Sequence, residues 1–112
     1  MNFYDKIHEM VRALKESNEF KEYMKLKEEL KKDEKAYLML KDFKEKQKKY
    51  QMEYIDGKEK NKEELSNMQN LYSLVIQNEI SRKILENEMK INVMLADMQK
   101  IVGDALKDII EF

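Results

Sequence analysis

The chain contains no cysteine and no proline, a single histidine, and only two glycines in 112 residues. Without cysteine there can be no disulfide, no cysteine nucleophile, no thiolate zinc site and no protein-thiolate iron–sulfur cluster, a usage that suits a reducing cytosol. Sheets and tight turns need glycine and proline as punctuation, so a chain this poor in both reads as long helices joined by few loops. No apolar run approaches the ~20 residues that a membrane span requires. The N-terminal MNFYDKIHEM carries acidic residues where a signal peptide has its apolar core. The expectation is a soluble protein of the cytoplasm.

What is present is charge and periodic hydrophobicity. Hydrophobic residues make up 42% and charged residues 40%, yet the formal net charge is only -1. Near-neutrality and regular apolar spacing argue for a folded chain rather than a disordered one. Residues 1–62 hold 17 Lys+Arg against 14 Asp+Glu, and residues 63–112 hold 5 against 9. Neither half is basic enough for a general polyanion binder. At this length one domain, residues 1–112, is expected.

The periodicity predicts successive helices. Tyr4, Ile7, Val11 and Leu14 step by 3, 4 and 3, one stripe of a helix over about 3–15. Ser17 is positioned to cap a second helix carrying Phe20, Tyr23, Met24 and Leu30. Near Asp33 the heptad phase slips, which either a kinked continuous helix or a break capped by Asp33 would absorb; the aspartate between the two registers favours the break. A third helix over about 34–55 follows, roughly 33 Å long at 1.5 Å per residue, longer than the core of so small a domain is wide. Its seam is Leu40, Phe43, Gln47, Tyr50 and Tyr54, and Asp56-Gly57 ends it, glycine suiting the left-handed conformation after a helix. Asn61 and Glu64 form a variant capping box for a fourth helix with Leu65, Met68, Tyr72 and Val75. Asn78 caps a last, most apolar helix over about 79–110, which Gly103 is expected to loosen.

The chemistry of sites is nearly absent. His8 alone cannot supply the converging ligands of a helical-bundle metal site and reads as a partly exposed residue of an amphipathic helix. Glu28-Glu29 and Glu63-Glu64 are adjacent on their helices and diverge by about 100°, so neither makes an acid/base couple. No phosphate-binding glycine loop or nucleophile motif occurs. The basic run KEKQKKY offers Lys44, Lys46, Lys48 and Lys49 as a polyanion contact, since lysines neutralise phosphates and Tyr50 could stack on a base. Against that, Glu45 and Glu53 dilute the charge, and Tyr50 shares the seam of Leu40 and Phe43. Nine methionines are spread over the helices; they fill irregular cores or serve adaptable binding grooves.

The order of several segments resembles a known family. YDKIHEMVRALKESNEFKEY, Asp33 ahead of KAYLMLKDFKEKQ, the Gly57 turn, Asn78 and ENEMKINVMLADMQKIV together are similar to the YlbF/YmcA family, particularly its YheA-like branch. Each segment alone is amphipathic helix; the spacing over about 100 residues carries the likeness. The family pattern often has proline after the positions of Asp33 and Asn78, where this chain has Glu34 and Glu79. The resemblance implies an all-α, bundle-like dimer of the bacterial cytoplasm, without catalysis. It also implies an accessory role in multiprotein complexes that govern competence, sporulation and biofilm development by adjusting messenger RNA processing. Iron–sulfur clusters held through cysteine in some relatives do not carry over.

The combined expectation is an all-α antiparallel helical bundle with one long protruding helix, non-enzymatic and without cofactors. It should work as a homodimer, with other regulatory proteins or an RNA-processing complex as partners. The dimer or partner seam is expected at Leu40, Phe43, Gln47, Tyr50 and Tyr54, backed by the C-terminal stripe. The rival expectation is a direct RNA-binding module using the basic 44–50 face.

Overall fold

The computed structural model describes residues 2–57 and 62–111. They form helices α1 (Phe3–Lys15), α2 (Asn18–Leu30), α3 (Glu34–Ile55), α4 (Lys62–Val75), α5 (Glu79–Ala105) and the short α6 (Lys107–Ile110), with no strand among the described residues. The all-α class expected from the sequence is the class observed.

Short polar side chains start these helices by satisfying backbone N–H groups that have no partner within the helix. Asn2 Oδ1 accepts from the Tyr4 amide at 2.8 Å and opens α1. Ser17 Oγ accepts from the Phe20 amide at 3.3 Å and donates to the Leu14 carbonyl at 2.6 Å, so one hydroxyl closes α1 and opens α2. At Asp33 the chain does break: Asp33 Oδ1 accepts from the Ala36 amide at 3.1 Å and α3 begins one residue later. Asn78 Oδ1 plays the same part for α5, accepting from the Ser81 amide at 3.0 Å. Gly57 has φ +83°, the left-handed geometry expected after α3. The Asn61 capping box lies outside the described residues.

The last helix is shorter than its apolar pattern predicts. It stops at Ala105, where Leu106 leaves helical geometry (φ -106°, ψ 20°) and its amide is shared between the Val102 carbonyl at 3.1 Å and the Gly103 carbonyl at 3.3 Å. A helix tightening on itself two residues past an interior glycine is the expected failure mode, because glycine contributes no side-chain packing and raises the entropic cost of staying helical.

The chain forms two compact units, Lys25–Ile84 and Met1–Met24 with Leu85–Phe112. The first holds every buried apolar side chain among the described residues: Leu26, Leu30, Leu40, Phe43, Val75 and Ile84. Its centre is the antiparallel pair α3 and α4, where the Phe43 and Tyr72 rings lie 5.6 Å apart and tilted by 42°. Full burial of each such side chain is worth about 1.5–3 kcal/mol.

The second unit is built differently. No apolar side chain in it is buried among the described residues. Among the described residues its one buried side chain is Asn87 of α5, whose amide donates to the Glu19 backbone carbonyl in the first turn of α2. Met10 of α1 shares a cleft with Met94, Met98 and Val102 of α5. Glu19 opposite Asn87 and Met10 opposite Met94–Val102 mean that the chain through α1 and into α2 runs antiparallel to α5.

Candidate interaction surfaces

The seam expected on α3 is divided by the fold. Leu40 and Phe43 are buried within a single chain, Phe43 against Tyr72 of α4. Tyr50 is half-buried and lines a hollow of about 200 Å³ with Lys46, Lys49 and, from α4, Glu64, Asn67 and Met68. The chain's own hairpin therefore covers the apolar stripe from Leu40 to Tyr50. Gln47 is half-buried and accepts from Lys44 Nζ of its own helix at 3.1 Å. Towards the end of α3 the stripe is more open: Tyr54 is 56% exposed, with Met52 and Ile55 also exposed beside it.

The four lysines of the basic run do not share one surface. Lys44 and Lys48 line a hollow with Lys41, Gln47 and Gln51, into which Glu45 also projects. Lys46 and Lys49 line the separate hollow that contains Glu64. Lys46 Nζ is bound to Asp42 Oδ2 at 3.0 Å. Helical geometry explains the split, since lysines two and five residues apart diverge around the axis whereas those three or four apart align. Each hollow thus has two or three ammonium groups and one carboxylate, so each is net positive by only one or two charges, and the basic run makes two small patches rather than one cationic track.

Sites of chemistry are equally sparse. His8 stands exposed on α1, and no group of three His, Cys, Asp or Glu residues able to hold a metal ion occurs among the described residues. Glu28 is engaged with Lys31 at 2.9 Å, a pair that raises the Lys31 pKa through its hydrogen bond and its charge. Such a shift at an exposed helix end stabilises an already protonated ammonium and prepares no acid or base. Glu63 and Glu64 lie side by side in the exposed first turn of α4. No helix among the described residues is long and apolar enough to cross a membrane.

The sequence pattern did not single out a further exposed apolar surface, which lies on the α1/α5 unit. An open cleft of about 370 Å³ is lined by Met10, Met94, Asp97, Met98, Ile101 and Val102. The same unit exposes Phe3 and Tyr4, in edge-to-face contact at 5.4 Å, together with Val11 and Ile109. The sequence signal was there in the α1 stripe and the width of the α5 stripe. What it lacked was any indication that α3 would be covered at home while α1 would not.

The family model described as "Control of competence regulator ComK, YlbF/YmcA" matches residues 3–107, across both units. A UPF0342 protein of Caldicellulosiruptor saccharolyticus is 39% identical over 109 residues, covering 96% of this chain and 91% of its own. A UPF0342 protein of Alkalihalophilus pseudofirmus is 35% identical over 108 residues, covering 96% and 92%. UPF0342 protein YheA of Bacillus subtilis is 29% identical over 109 residues, covering 97% and 93%. No solved structure gives a significant match. With a family model spanning nearly its whole length and relatives above 30% identity aligned end to end, the chain belongs to the YlbF/YmcA family of competence regulators.

Proposed function

We propose that this protein is a non-catalytic accessory factor of the bacterial cytoplasm, acting as a homodimer through protein–protein contacts. The observation that carries this reading is the α1/α5 unit: a stable fold does not ordinarily leave a helical unit with no buried apolar side chain among its described residues unless another polypeptide covers it. The sparse chemistry described above is what a protein working by contact needs, and family membership supports a role in regulation. The finer proposal is that it joins a complex adjusting messenger RNA processing, with effects on competence, sporulation and biofilm development.

A tagged copy expressed at native level, recovered from its own cells and analysed by mass spectrometry, tests this directly. Recovery of ribonuclease-associated proteins, together with altered transcript 5′ ends in a deletion strain, supports the reading. A chain recovered only with itself and an unchanged transcript map count against it. Direct RNA binding is the weaker alternative because the lysines are split between two hollows that each contain a carboxylate. Titration of labelled RNA at two salt concentrations separates the two, since phosphate contacts must weaken steeply with salt.

A further inference from the structure

We infer that two copies of this chain pair through the α1/α5 face, with α1 of each lying over α5 of the other, and not through the α3 seam. This rests on the homodimer reading above and specifies its surface. The first argument is area. Phe3 and Tyr4 are each 68% exposed, Ile101 70%, Ile109 80%, Val102 47% and Val11 40%. With about 200 Å² for an aromatic and about 100 Å² for an aliphatic side chain, these six leave on the order of 500 Å² of apolar surface uncovered. A standard interface buries about 800 Å² per partner, of which about 65% is apolar in homodimers. The exposed apolar side chains of this unit supply that amount. The exposed remainder of the α3 seam, chiefly Tyr54 and its neighbours Met52 and Ile55, is smaller.

The second argument is charge. Ile101 is flanked on its own helix by Asp97, four residues before it, and Asp104, three residues after it. Val11 shares its face of α1 with Lys15, four residues on, and Arg12 lies at the edge of that face. All four charged residues are exposed, and none forms an ion pair among the described residues. An α5-on-α5 pairing would set aspartate against aspartate. In a two-fold arrangement with α1 over α5, the basic edge meets the acidic edge twice, because the same contact is made in both directions. Met10, Met94 and Met98 floor the cleft between these edges, and thioether side chains adapt to whatever packs on them.

The test is sedimentation equilibrium on the full chain and five variants, each checked for helicity by circular dichroism. All substituted residues are exposed within one chain, so the fold should survive. The wild type should be a dimer at micromolar concentration. Ile101→Asp should weaken it by about a hundredfold or more, as expected for a charge at the centre of an interface. Asp97→Lys with Asp104→Lys, and Arg12→Glu with Lys15→Glu, should each weaken it about tenfold. The fourfold combination should return it to near the wild-type constant. Tyr54→Asp should leave it unchanged. A second readout uses the lack of native cysteine: the single thiol of Ile101→Cys should react with maleimide more slowly as protein concentration rises.

A wild type that is monomeric throughout overturns the homodimer reading and this surface with it. A dimer that survives Ile101→Asp overturns the surface alone, as does one that Tyr54→Asp dissociates. A fourfold variant as weak as the two doubles combined overturns the α1-over-α5 pairing.

Discussion

Replacing Phe43 by alanine separates the core of one chain from an interface between chains. Phe43 is buried within the Lys25–Ile84 unit, and its ring meets Tyr72 at 5.6 Å. Phenylalanine to alanine in a core costs about 3–5 kcal/mol, combining lost transfer free energy with the cavity left behind. An aromatic pair adds about 0.5–1.5 kcal/mol beyond area, but Tyr72 remains 44% exposed, which places this pair at the edge of the core and its contribution at the lower end. The expected loss is therefore about 3–4 kcal/mol, a large share of the roughly 5–15 kcal/mol available to a protein of this size. Urea unfolding followed by circular dichroism should show the midpoint falling by about 2 M with little change in slope. Running it at two protein concentrations tenfold apart is essential. A loss that is the same at both confirms an intrachain core. A loss below about 1 kcal/mol, or one that grows on dilution, would refute the reasoning and return Phe43 to an interface between copies.

Asn78→Ala removes the cap that holds the Ser81 amide, so it should cost about 1 kcal/mol, restored by Asn78→Ser, as measured by thermal unfolding. Gly57→Ala meets no steric obstacle in space but must adopt φ +83°; stability should fall by about 1 kcal/mol, and an unchanged melting temperature would show that the turn relaxes. Asn87→Leu abolishes the hydrogen bond to the Glu19 carbonyl, whose oxygen remains an acceptor within α2, so about 0.5–1.5 kcal/mol should be lost. Hydrogen exchange should then rise in the first turn of α2 and the facing turns of α5 before it rises in α3 and α4.

Much of the helical framework was legible one residue at a time. Ser17, Asp33 and Asn78 announced helix starts because their short oxygens reach an amide two or three residues on, and that reach depends on nothing distant. Gly57 announced a stop for an equally local reason, its freedom to take positive φ. The early end of α5 was half legible: Gly103 marked the weak point, and the turn at Leu106 fell just beyond it.

The interaction surfaces were less legible because they depend on distant partners. Leu40, Phe43 and Tyr50 carry the same spacing whether α4 or another copy covers them. Likewise, Tyr4 and Val11 have a stripe no different in kind from those that become buried. Lys44, Lys46, Lys48 and Lys49 are one run on paper and two separate patches in space.

By itself, then, the sequence determined that this protein is all helix, where most of its helices start and stop, and that it lacks the residues for thiol or multi-histidine chemistry. These follow from composition, periodicity and hydrogen bonds spanning three or four residues. Tertiary structure alone decided which apolar stripe is covered and which stays open. Hydrophobic burial is non-directional, so a stripe encodes the need for cover but not who provides it; here α4 packs along α3 while α1 and the end of α5 leave Phe3, Tyr4, Val11, Ile101 and Val102 exposed.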